Sequence, residues 1–295
     1  MTLRTAAVLA VLAAGAVSAR PADQRSSRER DVIVSASLSS GGPVLNLGPT
    51  DFIVREDRLA REVIRVAPAP PPSHVMILVD DSQASMASIP FLRSGITTLI
   101  KKMAAMQPSP QFGLTTFGER PTKRAEFSPG AGPALDAASK LFAIAGTGSY
   151  FLQAIGDTCK EFKKRNALNP IIVAFVAEAG PEFSSESHEQ IADALRGAGA
   201  ALWVVDLSIA DQPDRTNEEH ERAQVLGAVT LDSGGLTRTV ISTQSIDPAF
   251  ASMAAVLTSR YLVTYARPEQ TIPPSTVVVT TKRSDVRLTS SRWPR

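Results

Sequence analysis

The sequence contains very few of the residues that form cysteine-based or histidine-based sites. Its 295 residues include one cysteine, Cys159, and three histidines, His74, His188 and His220. A single cysteine excludes an internal disulfide framework and a multi-cysteine zinc or iron–sulfur site within one chain. Three histidines leave little material for a histidine-rich metal site.

An excess of charge of either sign is also missing. The chain has 31 basic and 29 acidic side chains, a formal net charge of +2. Nucleic-acid-binding proteins usually carry a clear basic excess or a concentrated basic patch, so we expect no nucleic-acid partner. At 43% apolar residues, the chain can bury the core of one large domain or of two modest ones.

The N-terminal segment, MTLRTAAVLAVLAAGAVSA, is typical of a secretory signal peptide. It carries a positive charge at Arg4, then an apolar run, then small residues at Ser18 and Ala19. At about a dozen residues, the apolar run is too short to span a bilayer comfortably. No cysteine follows it as a lipoprotein anchor. We therefore predict a secreted or periplasmic protein with no membrane span after cleavage; an uncleaved anchor is the alternative.

Composition divides the rest of the chain into zones. Residues 20–30 are polar and charged and predict a flexible leader. Short β-type runs separated by turn residues predict three strands over 31–66, and the following APAPPPS predicts a stiff linker. The predicted organisation is a signal peptide (1–19), a leader (20–30), an N-terminal β segment with its linker (31–72), an α/β domain (73–259) and a C-terminal β segment (260–295).

Strands alternate with helices from His74 onward. The run VMILVD is continuously apolar, as expected of a strand buried on both faces, and PIIVAFV and ALWVVDLS predict further strands. This alternation predicts an α/β fold with a doubly wound, mostly parallel, Rossmann-like sheet. Cys159 shares the apolar face of a predicted helix with Ile155 and Phe162, so we interpret it as a buried core residue rather than a nucleophile.

The two β segments flank the α/β unit in the sequence. Two or three isolated strands bury too little surface to be stable, whereas five or six can pair into a small sandwich. We therefore hypothesise that the two segments meet. Separate packing of each segment on the α/β unit is the alternative.

Polar side chains gather in loops at the predicted carboxyl ends of the strands, where open α/β sheets bind ligands. LVDDSQASM supplies Asp80, Asp81, Ser82 and Ser85; AGTGSYF supplies Gly146, Thr147 and Ser149; AEAGPEFSS supplies Glu178. Carboxylates and hydroxyls at one rim form an oxygen-only ligand set that suits a hard cation such as Mg²⁺. The alternative is that these groups cap the first helix and hydrogen-bond one another.

The chain from about 31 to 292 resembles the von Willebrand factor type A (VWFA) domain family, and in particular secreted bacterial proteins that carry a variant of it between β segments. The resemblance lies in PTDFIVRED, LVDDSQASM, AGTGSYF, FVAEAG, the DSGG turn and RYLVTYA. The family's metal-ion-dependent adhesion site uses an Asp-x-Ser-x-Ser motif, a threonine from a second loop and an aspartate from a third. Asp80, Ser82 and Thr147 match it.

Two positions depart from that motif. Ala84 stands where the family has the second serine, with Ser85 one residue later, and Glu178 stands at the aspartate position. The resemblance implies a metal set of Asp80, Ser82, Ser85, Thr147 and Glu178. Asp81, Gly146 and Ser149 complete the expected partner-binding rim.

The resemblance implies an exported, non-enzymatic adhesion or scaffolding protein. In family members with an intact site, Mg²⁺ keeps one coordination position for an acidic residue of a protein partner. A metal-free structural or assembly module is the alternative for this chain, and a hydrolase or a cation-dependent phosphotransfer protein on the same rim is a remote one. The residues alone leave the partner and the oligomeric state open.

Two short motifs resemble sequence motifs of enzymes, but neither fits its motif well. DSGG, at 232–235, is similar to the nucleophile turn of trypsin-like proteases, but it falls between a helix and a short strand, where its glycines more simply permit a tight turn. AGTGSYF lacks the pattern of a phosphate-binding loop and a full G-x-G-x-x-G motif. We therefore predict no enzymatic activity.

Overall fold

The computed structural model describes residues 29–208, 215–268 and 273–294. The predicted signal peptide and residues 20–28 of the predicted leader lie outside these ranges. Within them, no helix is both long enough and apolar enough to cross a membrane.

A six-stranded sheet forms the centre of the molecule. Its strands are β5 (His74–Val79), β6 (Gln111–Thr116), β7 (Thr122–Ser128), β8 (Ile171–Ala177), β9 (Ala201–Leu207) and β10 (Leu236–Val240). The order is β7-β6-β5-β8-β9-β10, which is the 3-2-1-4-5-6 order of doubly wound folds. All neighbours are parallel except β6 and β7. Strands β5 and β8 are buried at every position because helices cover both faces.

Helices pack on both faces of this sheet. They are α1 (Ile89–Ala104), α2 (Gly132–Ser139), α3 (Phe151–Lys164), α4 (His188–Ala198), α5 (Asn217–Gln224), α6 (Thr230–Asp232) and α7 (Ile246–Leu257). The apolar sides of α1, α2 and α7 form a core on one face, and those of α3 and α4 form a core on the other. The predicted doubly wound α/β fold is confirmed.

The flanking segments add two antiparallel sheets. Their strands are β1 (Glu29–Leu38), β2 (Ile53–Glu56), β3 (Leu59–Arg61), β4 (Val63–Pro68), β11 (Tyr261–Ala266), β12 (Val277–Thr280) and β13 (Val286–Ser290). The sheet orders are β13-β1-β11-β4 and β12-β2-β3, and a third core lies between them. Strands from both ends of the chain therefore pair, which confirms the hypothesis that the two segments meet.

Local details differ from the sequence predictions. Strand β7 was not predicted. Helix α7 begins at Ile246, with Ser245 at its N-cap. The glycines of DSGG make a tight turn as expected: Gly234 has a φ of 91°, and a Cβ on Gly235 would lie 1.6 Å from the carbonyl oxygen of Leu202.

Candidate functional site

The predicted rim lies at the carboxyl edge, by which we mean the loops that follow β5, β8, β9 and β10 together with the loop 140–150. This last loop joins α2 to α3 and docks on the loop after β5. The Ile144 amide donates to the Asp81 carbonyl (2.8 Å), and the Gly146 amide donates to the Gln83 side chain (2.8 Å). The fold thus brings together the loops that the sequence analysis selected.

Asp80 joins two of these loops. One carboxylate oxygen accepts from the Ser82 amide (2.9 Å) and the other accepts from the Ala177 amide at the end of β8 (3.1 Å). The side chain is fully buried. Burial raises the pKa of Asp80, against smaller opposing effects from Ser82, Ala177 and the Arg222 guanidinium. A positive charge placed beside Asp80 would favour its ionised form.

Three serines follow Asp80 at intervals of three residues. Ser82 is the N-cap of a 3₁₀ helix over Gln83–Ser88, and Ser85 and Ser88 lie within that helix. Residues three apart share a face of a 3₁₀ helix, so Ser85 rather than Ala84 follows the line of Ser82. A Cβ on Gly180, in the loop after β8, would lie 3.2 Å from the Ala84 Cβ and 3.6 Å from the Ser82 hydroxyl.

The hydroxyls of these serines are buried and have no hydrogen-bond partner among the described residues. The Ser82 hydroxyl lies near enough to Asp80 to lower its pKa but not at hydrogen-bonding geometry, and it does not cap the helix. An unsatisfied buried hydroxyl costs about 1–3 kcal/mol. The Asp80 carboxylate accepts from the Ser82 amide, as the alternative of mutual capping expects, whereas the three hydroxyls remain available to an ion or to water.

The other predicted rim residues are held mostly by protein groups. The Thr147 hydroxyl donates to the Ile144 carbonyl (2.8 Å) and keeps its acceptor lone pairs. Glu178 pairs with Arg215, with 2.5 Å between Oε1 and Nη2. The Ser149 hydroxyl donates to Glu182 (3.0 Å) and is buried below the rim.

Asp81 points away from Asp80. Its Oδ1 accepts from the Gly118 amide (2.7 Å) and its Oδ2 pairs with Arg124 of β7 (3.3 Å). Asp81 therefore fastens the loop after β5 to the neighbouring strands and does not join the group formed by Asp80 and the serines.

The sequence analysis missed three buried charged residues here: Arg222, Glu182 and Asp206. Arg222, on α5, lies near enough to Asp80 and Asp206 to lower the pKa of both. Burial, and to a lesser extent Glu178, raises the pKa of Asp206 to about 6. Asp206 stands near the carboxyl end of one predicted strand and Glu182 lies in the loop that follows another, positions that could have identified them.

Large apolar side chains are exposed around the same edge. Met86, in the 3₁₀ helix after β5, is 53% exposed, and Phe142 and Phe183, in two loops, are each 54% exposed. Phe142 lies under the Arg124 guanidinium, and the ring of Phe183 packs 5.9 Å from that of Tyr150. Methionine and aromatic residues are enriched where proteins bind one another.

Carboxylates alone do not form a metal centre in the described part of the chain, because no three His, Cys, Asp or Glu side chains there are grouped as ligands. A cation at the carboxyl edge would therefore depend on hydroxyl oxygens as well as on Asp80. The unsatisfied Ser82 hydroxyl next to the buried Asp80 carboxylate, together with the unsatisfied Ser85 hydroxyl one turn of the 3₁₀ helix later, fits a hard cation such as Mg²⁺.

Neither protein-family models nor curated proteins match the sequence. Solved structures match its fold. Proximal thread matrix protein 1 of the mussel byssus is 12% identical over 68% of this chain and 50% of its own, with a TM-score of 0.50. A von Willebrand factor type A protein from Catenulispora acidiphila is 11% identical over 92% of this chain and 76% of its own (TM-score 0.48).

The vWF domain of the type V pili tip protein Mfa5 from Porphyromonas gingivalis is 10% identical over 63% of this chain and 95% of its own, with a TM-score of 0.47. At these identities the likeness concerns the fold alone.

Proposed function

We propose that this chain, which has the von Willebrand factor type A fold with added antiparallel strands, is a protein-binding module that holds its partner at the carboxyl edge. The observation that carries the proposal is the exposure of Met86, Phe142 and Phe183 on three different segments of that edge. Burying such side chains against a partner stabilises a complex by about 25 cal/mol per Å² of apolar surface. The buried network beneath the loops holds them in place for binding.

The proposed interaction includes a cation. Asp80, Ser82 and Ser85 are the residues that would hold Mg²⁺, and Thr147 and Glu178 would complete the set. When bound, Mg²⁺ supplies a local positive charge that attracts an acidic side chain of the partner. Glu178 would join the set only by leaving Arg215, because the two side chains are now in contact.

One observation favours a metal-free form of the same module. Arg215 and Arg222 already place two positive charges among Asp80, Glu178 and Asp206. These two arginines partly offset the negative charge of the carboxylates, so a bound cation would stabilise the carboxylates less. The proposed protein-binding role does not depend on which form is correct.

Variants on opposite edges of the sheet test the binding role. Thr147→Arg adds bulk at the carboxyl edge, and Leu168→Arg is a matched control, since Leu168 is 72% exposed just before β8 at the opposite edge. Protein captured from an extract of the source cells by the wild type and by Leu168→Arg, but not by Thr147→Arg, supports the proposal. Equal capture by both variants contradicts it.

Calorimetric titration with MgCl₂ and MnCl₂ tests the cation. We expect saturable binding at millimolar metal that is lost in Asp80→Ala and weakened in the double variant Ser82→Ala/Ser85→Ala. Asp136→Ala removes an exposed carboxylate as a control and should bind as the wild type does. Absence of saturable binding, or binding that Asp80→Ala leaves intact, selects the metal-free form.

The proposal includes export and the absence of catalysis. The N-terminal sequence of the mature protein, isolated from the periplasm or the medium, should begin after Ala19. The purified protein should leave generic ester, peptide and phosphoester substrates intact. Hydrolysis that disappears in Asp80→Ala would replace the binding role with an enzymatic one.

A further inference from the structure

Glu178 is contacted by two arginines, and each contacts a different part of it. Arg215 directly precedes Thr216, the N-cap of α5, and its Nη2 donates to Oε1 of the Glu178 side chain (2.5 Å). Arg222, within α5, donates to the backbone carbonyl of Glu178 (2.8 Å). The Glu178 amide donates to the Leu207 carbonyl of β9 (3.1 Å). Hydrogen bonds on both sides therefore hold the backbone of Glu178, whereas its side chain is held by Arg215.

The two contacts also differ in their exposure to water. The Arg222 side chain is 2% exposed, whereas those of Arg215 and Glu178 are 30% and 15% exposed. Water screens a partly exposed ion pair and can replace its hydrogen bonds, so such a pair is weak, whereas a buried one is costly to break. The Glu178 side chain can therefore leave Arg215 by rotation alone, while Arg222 keeps the loop after β8 in place.

The contact with Arg215 opposes the binding of a cation at the carboxyl edge. Mg²⁺ takes six oxygen ligands, and carboxylates are the strongest that a protein supplies. While Arg215 is paired with Glu178, the negative charge that would attract Mg²⁺ is partly offset. A guanidinium also stays charged at any pH at which the protein is folded, so it repels a cation permanently.

We propose that Arg215 competes with Mg²⁺ for the Glu178 carboxylate and thereby lowers the affinity of the carboxyl edge for the cation. This inference rests on the cation of the proposed function. Without a cation, Glu178 pairs with Arg215 and the edge keeps its shape. At sufficient Mg²⁺ the carboxylate rotates from the guanidinium to the cation. Arg215 thus sets the concentration of Mg²⁺ that the edge requires.

Calorimetric titration of the full chain with MgCl₂ tests the competition. Arg215→Gln removes the positive charge and should bind Mg²⁺ about fivefold more tightly than the wild type, as expected for the loss of one partly exposed ion pair. Arg215→Lys keeps the charge and should bind with an affinity closer to that of the wild type. In Glu178→Gln, the further change Arg215→Gln should no longer tighten binding, because the carboxylate for which arginine and cation compete is absent.

Arg165→Gln is the matched control. Arg165 pairs with Glu161 at the end of α3, with 2.9 Å between Nη2 and Oε1 and with 34% and 13% of the side chains exposed, which is close to the exposure of the pair at the carboxyl edge. It removes the same charge far from Glu178 and should bind Mg²⁺ as the wild type does. Circular dichroism verifies the folding of each variant.

The outcomes separate this inference from the function it rests on. Tighter binding by Arg215→Gln, or binding that appears only in that variant, supports the competition. Equal affinities of Arg215→Gln and the wild type would overturn it and leave the cation site standing. An equal gain in the Glu178→Gln background would overturn it as a general effect of charge. No binding by either protein would overturn it together with the cation, while the capture experiment still decides the protein-binding role.

Discussion

Arg222 and Glu182 form an ion pair inside the protein, with 3.8 Å between Nη1 and Oε2 and with 2% and 0% of their side chains exposed. Arg222 also donates to the carbonyls of Gly180 (2.9 Å) and Glu178 (2.8 Å). Glu182 accepts from the hydroxyls of Ser149 and Ser184. The pair thereby fixes the loop after β8, which the candidate site uses.

Removal of Arg222 should therefore destabilise the fold strongly. Arg222→Met leaves Glu182 buried without its counter-charge, and such a loss costs about 3–5 kcal/mol. Arg222→Lys should recover only part of this, because an ammonium cannot donate in the planar geometry of a guanidinium. Urea-induced unfolding at pH 7 measures both changes.

Lys160→Met is the control for this experiment. Lys160 pairs with Asp157 at the surface, where an ion pair contributes about 0–1 kcal/mol. A free energy of unfolding for Arg222→Met no lower than that of Lys160→Met would contradict the structural role of the buried pair.

Strands and helices were predicted correctly where their burial produces a regular pattern of apolar residues in the sequence. Strand β5 is apolar throughout because both of its faces are covered, and α3 repeats Ile155, Cys159 and Phe162 at helical spacing. Strand β7 was missed because it is an edge strand: Ala125 and Phe127 are buried, while charged residues alternate with them. Helix α5 has the sequence NEEHERAQ, whose polarity conceals the burial of Arg222.

The candidate site was predictable in position but not in detail. The carboxyl ends of β5 and β8 placed Asp80 and Glu178 at one edge. The 3₁₀ helix that aligns Ser85 with Ser82 has six residues, which is too short for its periodicity to be recognised in the sequence. The ion-pair partners of Glu178 and Asp81 come from segments that are distant along the chain. Such contacts depend on tertiary packing, which local patterns do not encode.

Gly118 should not tolerate a side chain. A Cβ there would lie 2.5 Å from the Ser82 amide nitrogen and 2.8 Å from Oδ1 of Asp81. Gly118→Ala must displace the loop after β5, and overpacking of this kind costs about 1–3 kcal/mol. Gly132→Ala is the matched control, because a Cβ at Gly132 meets nothing within 4 Å. Equal free energies of unfolding for the two variants would contradict the close approach at Gly118.

Cys159 should be unreactive in the folded protein. Its side chain is 1% exposed, and burial raises the pKa of the thiol to about 12, so almost no thiolate is present at pH 8. We expect 5,5′-dithiobis(2-nitrobenzoic acid) to modify it only after unfolding in guanidinium chloride. Rapid stoichiometric reaction of the native protein would show that the apolar face of α3 opens to solvent.

Asp206 should make the protein less stable as the pH rises from about 4 to 6. Its folded-state pKa of about 6 lies above the ordinary value of 3.8, so the folded protein binds more protons than the unfolded chain in this range. The free energy of unfolding then falls with increasing pH, by about 3 kcal/mol for a shift of about two units.

Asp206→Asn tests this effect, because the amide oxygen can still accept from Thr239 while the charge is removed. The variant should match the wild type near pH 4 and exceed its free energy of unfolding at pH 7, as measured by urea titrations across the range. Asp193→Asn, at an exposed carboxylate, should follow the wild type. Burial also raises the pKa of Asp80 and Glu182, so part of the wild-type decline should persist in Asp206→Asn. An unchanged decline would show that Asp206 is already ionised at low pH and that Arg222 and Arg215 outweigh its burial.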